Sequence, residues 1–132
     1  MLRITASQKD RFSRVTRDSF ATRMAAYIRR SFPERVRRLD DAALAAWTRR
    51  AAAQCERLRV DREPEAAQTM LLLLVLGVES VEHDTWVASA LSYEGAAIGK
   101  LRRLVAGCRA RNLPIDELLV LGEQLPGLED PR

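Results

Sequence analysis

Residues 70–76 read Met-Leu-Leu-Leu-Leu-Val-Leu, a run of seven consecutive apolar residues that ends at Gly77. A helix that carries this run has no polar face, so other elements must surround it. The run is too short for a membrane span, which needs about 20 apolar residues. Its length also suits a buried strand, but the leucine content and the helix-forming residues 65–68 favour a helix. We therefore predict a buried central helix.

The residues on either side of the run mark where this helix begins and ends. Asp61 can accept hydrogen bonds from free backbone N–H groups as an N-cap, and Pro64 is tolerated in the first turn. Glu63 and Glu65 complement the positive end of the helix dipole. Gly77 can adopt the left-handed conformation that stops a helix. The sequence thus predicts both boundaries of the central helix.

The rest of the chain has helical rather than alternating periodicity. A capping box at residues 5–8 predicts a long first helix to about Ser31, and Phe32-Pro33 ends it before a short turn. Asp40 or Asp41 caps the next helix, which leads to the central one. The predicted helices cover about residues 5–31, 41–58, 63–76, 84–91, 96–111 and 114–121, with the short turn at 33–39.

This pattern predicts an all-α fold. We expect a single compact orthogonal bundle of about five to six helices around the central one. The helical domain should span residues 1–124, and the acidic tail, residues 125–132, should be irregular because glycine and proline punctuate it.

Charge is unevenly distributed along the chain. Residues 1–62 hold 16 Arg or Lys against 7 Asp or Glu, a net charge of +9, whereas residues 63–132 hold 6 against 11, a net charge of −5. A basic half can indicate nucleic acid, an acidic partner surface or solvated helix faces. Arg35-Val36-Arg37-Arg38 is the densest basic cluster, but two aspartates follow it and would repel phosphate.

The sequence contains no recognisable catalytic motif. His83 is the single histidine and lies between two carboxylates in a predicted connector, so an exposed or capping role is expected. Cys55 and Cys108 form no CxxC pair and are expected to pack as small hydrophobes. No nucleotide-binding, zinc or calcium motif is present. These features predict a binding protein, without cofactor or metal, rather than an enzyme.

Two surfaces are candidates for a partner. Asp84 is expected to cap a short helix on which Val87 and Leu91 face the core, leaving Trp86 near the rim. A partly exposed tryptophan beside carboxylates is typical of interfaces. An alternative is that Trp86 simply belongs to the core.

The second candidate surface is the arginine side of the first helix, with Arg11, Arg14 and Arg17. Its alternative is an ordinary solvated helix face.

The order of features from Phe32 to Leu91 resembles a family of small helical proteins encoded beside the spike, toxin and toxin-loading adaptor genes of bacterial type VI secretion systems. The matching stretches are Phe32-Pro33, residues 51–60, residues 61–77, and residues 81–86. Departures from the family pattern are Arg59, where the family has a turn glycine, and Val81 and Thr85, where it has Phe and Pro.

The resemblance implies a protein that assists adaptors or toxins before secretion, without enzymatic activity or cofactor. We therefore expect a non-enzymatic accessory protein, a co-chaperone or co-adaptor, whose partner is a type VI toxin or its loading adaptor. A basic regulatory module that binds nucleic acid is the main alternative, and an enzyme with an unrecognised site is a third. The absence of an apolar leader after Met1 predicts a cytoplasmic location, with no membrane association.

Overall fold

A computed structural model describes residues 14–60 and 62–119 of the chain. These residues form six helices and no strand, so the prediction of an all-α helical bundle is confirmed. The helices are α1 (Arg14–Ser31), α2 (Asp41–Arg57), α3 (Glu63–Leu76), α4 (Ser80–His83), α5 (Thr85–Leu91) and α6 (Ala97–Ala110). Two 3-10 turns, Pro33–Val36 and Asp116–Leu118, follow α1 and α6. The predicted start of the first helix at residues 5–13 and the predicted tail at residues 125–132 lie outside the described residues.

Helix α3 is the centre of the fold, as its apolar run predicts. It contacts α1, α2, α6 and the second 3-10 turn, and its residues from Glu65 to Leu73 are buried. Gly77 ends it with a φ of 90°, and the Gly77 N–H donates to the carbonyl of Leu73 at 2.7 Å. The prediction of a buried central helix closed by Gly77 is therefore confirmed.

Two details of α3 differ from the prediction. Its N-cap is Arg62, which makes no side-chain capping bond, whereas Asp61 lies outside the described residues. The residues of its last turn, Leu74, Val75 and Leu76, are half-buried rather than enclosed. An apolar run predicts that a segment is buried against other elements. How far each of its turns is buried depends on where the neighbouring helices end.

Helix α1 packs along α2 and also contacts α3 and the first 3-10 turn. Phe20, Met24 and Ile28, spaced four apart, form its buried face. The helix ends at Ser31 because Phe32 precedes a proline, which disfavours helical backbone at that position. Asp40 is the N-cap of α2, and its carboxylate accepts a 2.7 Å hydrogen bond from the N–H of Ala43. Of the two aspartates considered from sequence, Asp40 is thus the cap.

Helices α2 and α6 end in the same way, each with a left-handed residue that is not glycine. Arg59 has a φ of 64° and Asn112 a φ of 56°. After each, the next N–H donates back to the carbonyl of a buried cysteine, from Val60 to Cys55 at 2.8 Å and from Leu113 to Cys108 at 3.0 Å. This six-to-one bond is the signature of a Schellman motif.

The C-terminal half keeps its predicted order and has two features that the sequence did not indicate. The connector after α3, in which Val78 and Val81 are buried, includes the one-turn helix α4. Lys100 of α6 is buried and donates to the carbonyl of Leu58. The long lysine side chain reaches the end of α2, where free carbonyls need donors.

The last predicted helix, residues 114–121, is a 3-10 turn within the described residues, Asp116–Leu118, with Leu119 after it. The Gln68 amide of α3 donates to the carbonyl of Leu118, which a continuing α-helix would use for its own ladder. Residues 120 and 121 lie outside the described part. No helix among the described residues is long and apolar enough to cross a membrane.

Candidate partner-binding surface

The structure places only part of the predicted arginine surface. Arg11 lies outside the described residues, and Arg14 is the first residue of α1, with its side chain also outside the description. Arg17 is half-buried and donates to the carboxylate of Glu56 on α2. The charge of Arg17 is thus already paired within the fold, and its role in partner binding stays a prediction.

Asp84 and Trp86 lie at the start of the predicted short helix, where Trp86 is partly exposed as predicted but Asp84 does not cap through its side chain. Asp84 is exposed at the N-cap of α5, yet its side chain makes no capping hydrogen bond. Trp86 is half-buried. A Cβ atom added at Gly107 would lie 2.4 Å from the Trp86 ring, and the guanidinium carbon of Arg111 lies 4.0 Å from the ring centroid. The ring thus packs on α6 beneath an arginine.

A second pair of this kind was not predicted from sequence. Tyr93, just after α5, is 40% exposed, and the guanidinium carbon of Arg103 lies 3.7 Å from its ring centroid. A Cβ atom at Gly99 would lie 3.3 Å from the edge of this ring. An arginine over an aromatic ring at this distance is a cation–π contact.

Both pairs lie along one side of α6, at residues 99, 103 and 107 and at the C-cap residue 111. Residues four apart lie on the same side of a helix, and here they alternate glycine with arginine. Each glycine makes room for a ring and the following arginine covers it. This alternation of glycine and arginine every four residues is the sequence pattern from which the surface around Trp86 and Tyr93 could have been predicted. We call Trp86, Tyr93, Arg103 and Arg111 the aromatic–arginine face.

A crevice of about 590 Å³ adjoins this face at Tyr93. It lies between the end of α2 and the α5–α6 connection. Its charged lining consists of Arg57, Arg59 and Lys100 with a single carboxylate, Glu94. We call it the basic crevice.

A second crevice, of about 340 Å³, lies between α2 and the segment after α3. The polar side chains of this crevice pair with each other. Arg50 forms an ion pair with Glu79 at 3.4 Å, and the Gln54 amide donates a hydrogen bond to Glu82 at 3.1 Å. Its polar groups are therefore largely satisfied within the protein.

The cysteines are placed as packing residues. Both are buried and unbonded to each other. Burial raises the pKa of the Cys55 thiol to about 12. It also raises the pKa of Cys108 to about 11, against the opposing charges of Arg111 and Arg109. Both thiols are therefore protonated at neutral pH and are poor nucleophiles.

His83 is exposed at the end of α4. Among residues 14–60 and 62–119, no three histidine, cysteine or carboxylate side chains lie together as a metal site would require. The aromatic–arginine face and the basic crevice beside it are therefore the candidate binding features of the described surface.

Comparisons of the chain with protein-family models, with curated proteins and with solved structures found no match.

Proposed function

We propose that this protein is a non-enzymatic accessory protein that binds a protein partner through the aromatic–arginine face. The observation that carries the proposal is the exposed Tyr93 ring, held in place beneath Arg103. Tyr, Trp and Arg are the residues most enriched at the energetic centres of protein interfaces. A ring already held by a neighbour also loses little conformational freedom on binding.

The resemblance to proteins encoded with type VI secretion genes supplies the class of partner. We infer a co-chaperone or co-adaptor role in which the partner is a type VI toxin or its loading adaptor. Such a role requires binding and release rather than chemistry, which agrees with the protonation of both buried thiols at neutral pH. It takes place in the cytoplasm, before the toxin is exported.

Co-purification with the type VI toxins and loading adaptors of the native bacterium tests the proposal. Tyr93→Ala should weaken the complex by about 2 kcal/mol, roughly 30-fold in Kd, as expected for an interface centre. Its melting temperature should stay near that of the parent because Tyr93 is exposed. Arg103→Ala should weaken binding less, because it removes the cover of the ring but not the ring itself.

Arg30→Ala provides the matched control. Arg30 is exposed on α1, with its guanidinium carbon 5.9 Å from the ring centroid of Tyr27, so this change removes an arginine beside a tyrosine at another surface. Binding should be unaffected. If Tyr93→Ala and Arg30→Ala bind the partner equally well, the aromatic–arginine face is not the interface.

Nucleic-acid binding is the second candidate, and one observation favours it. Residues 97–111, which include α6, contain five basic residues and no acidic one. Binding to phosphates weakens steeply with salt, because the protein displaces condensed counterions. Titration of duplex DNA at two salt concentrations tests this candidate, which predicts tight binding that falls by an order of magnitude or more over a fourfold increase in salt.

A further inference from the structure

We propose that the aromatic–arginine face binds an acidic segment of the protein partner, whose carboxylates contact both Arg103 and Arg111. The inference rests on the proposed function and specifies the chemistry that the partner must present. Three features of the described residues carry it: the free hydrogen-bond donors of the two arginines, their separation along α6 and the way in which they cover the rings.

Arg103 and Arg111 contact aromatic rings rather than carboxylates. The guanidinium carbon of Arg103 lies 3.7 Å from the ring centroid of Tyr93, and that of Arg111 lies 4.0 Å from the ring centroid of Trp86. The ion pairs between described residues all use other arginines. The positive charges of Arg103 and Arg111 therefore have no carboxylate in direct contact within the described part of the chain.

A guanidinium that is stacked on a ring keeps its hydrogen-bond donors available. Stacking uses the face of the planar group, whereas its five N–H donors point outward from the edge. Arg103 donates to no described group, and Arg111 donates only to the carbonyl of Gly107, at 3.1 Å. Both arginines are exposed. Because the ring limits the motion of each guanidinium, less conformational freedom is lost when a carboxylate binds its edge.

The separation of the two arginines favours a ligand with more than one acidic group. Arg103 and Arg111 are eight residues apart, so their Cα atoms are separated by about 12 Å along α6. A single carboxylate cannot contact both guanidinium groups at once, whereas about four residues of an extended chain span this distance. No acidic residue lies between the two arginines in the sequence. The face is thus suited to several carboxylates carried by one chain.

The cover on the rings favours a peptide over a single-stranded nucleic acid. Single strands bind largely by stacking bases on open aromatic faces. Arg103 covers one face of the exposed Tyr93 ring, and Arg111 lies over the half-buried ring of Trp86. A carboxylate needs no open ring face, since it binds the guanidinium groups directly.

The test measures binding of a fluorescein-labelled oligoglutamate peptide of about ten residues to the full chain, by fluorescence anisotropy at about 50 mM salt. The informative variants are Arg103→Met and Arg111→Met, singly and together. Methionine keeps an unbranched side chain over each ring but removes the charge and the donors. Each single change should raise the Kd about threefold and the double change about tenfold. Melting temperatures should stay near that of the parent, because both residues are exposed.

Arg30→Met is the matched control, because it removes the same charge from an exposed arginine that lies over a tyrosine, Tyr27, on α1. Its Kd should equal that of the parent. An unchanged Kd in the double variant overturns the inference, and so does an equal loss of affinity in Arg30→Met, which would show attraction to net charge alone. A labelled oligonucleotide that binds more tightly than the peptide at equal salt also overturns it, in favour of phosphate recognition.

A second measurement needs no variant. Addition of the peptide to isotope-labelled parent protein should shift the side-chain Nε–H NMR signals of both Arg103 and Arg111. The signal of Arg30 should stay unchanged. A shift of only one of the first two signals contradicts a segment that contacts both arginines.

The inference and the proposed function fail in different ways. If the double variant weakens peptide binding but no type VI toxin or loading adaptor co-purifies with the protein, the acidic-segment assignment holds and the proposed partner class is wrong. If a partner co-purifies as well with the double variant as with the parent but is lost with Tyr93→Ala, the partner contacts the ring without an acidic segment. The inference then fails while the proposed function stands.

Discussion

Gly107 shows how a single missing side chain shapes the candidate surface. The Trp86 ring occupies the space that a Cβ atom at this position would fill, with its nearest ring atoms 2.4 and 2.6 Å away. Glycine in a helix interior is otherwise unfavourable by about 1 kcal/mol relative to alanine. The contact with Trp86 explains why glycine is suited to this turn of α6.

Gly107→Ala should therefore destabilise the protein, by roughly 1–3 kcal/mol, because the Trp86 ring must move from its packed position. Gly99→Ala is the matched change two turns earlier. Its Cβ would lie 3.3 Å from Tyr93, an exposed ring that can shift, so we expect it to be neutral or stabilising by up to about 1 kcal/mol. Thermal melting of both variants measures the difference, and equal melting temperatures would contradict the packing of Trp86 on α6.

At the scale of the elements, α3 is enclosed along most of its length but not at its end. Leu73 is 1% exposed, whereas Leu74 is half-buried. From the sequence alone the two leucines are equivalent members of one apolar run. The structure distinguishes them, because the last turn of α3 has fewer neighbours than the turns before it.

We expect Leu73→Asp to prevent folding, since an unpaired carboxylate in the core costs several kcal/mol against a typical total stability of about 5–15 kcal/mol. Leu74→Asp should fold and lose only about 1–3 kcal/mol, because its carboxylate can reach water. Circular dichroism melts of the two variants provide the test. A cooperative, parent-like melt of Leu73→Asp would refute the placement of α3.

At the scale of the whole molecule, folding brings the basic and acidic halves of the chain into contact. Arginines of the first half pair with glutamates of the second: Arg23 with Glu63 at 2.9 Å, Arg35 with Glu117 at 2.8 Å and Arg50 with Glu79 at 3.4 Å. The charge asymmetry of the sequence is thus partly neutralised in the fold. These three pairs join the first half of the chain to the second.

Arg23 and Glu63 offer the clearest test of this arrangement, because Glu63 is 1% exposed and its second oxygen has no hydrogen-bond partner among the described residues. Arg23→Ala should lower the free energy of unfolding by about 1–2 kcal/mol, less than for a fully buried pair because Arg23 is 39% exposed. Adding Glu63→Gln should recover part of this loss, since it removes the buried charge. Urea unfolding of the parent, both single variants and the double variant measures the coupling, and strictly additive losses would show that the pair does not interact.

Local chemistry made several features of the fold predictable. Proline geometry ends α1 after Ser31, the Asp40 carboxylate caps α2, Gly77 ends α3, and the apolar run places α3 at the centre. The family resemblance likewise singled out Arg59 as the residue in place of a turn glycine, which is where the left-handed backbone occurs. Such features depend on residues within one helical turn of each other, so their physics is contained in the sequence itself.

The candidate surface depends on contacts that no local pattern contains. Lys100 is buried because the end of α2 lies beside it, Arg17 is paired because Glu56 faces it, and Tyr93 is held because α6 places Arg103 over its ring. In each case the partner is distant in sequence or lies on another element. By itself the sequence determined most of the helices, the ends of α1 and α3, the Asp40 cap and the identity of the central helix, because these follow from short-range backbone and side-chain chemistry. Only the tertiary structure decided which charges remain unpaired and which rings stay exposed, because both depend on how the helices pack.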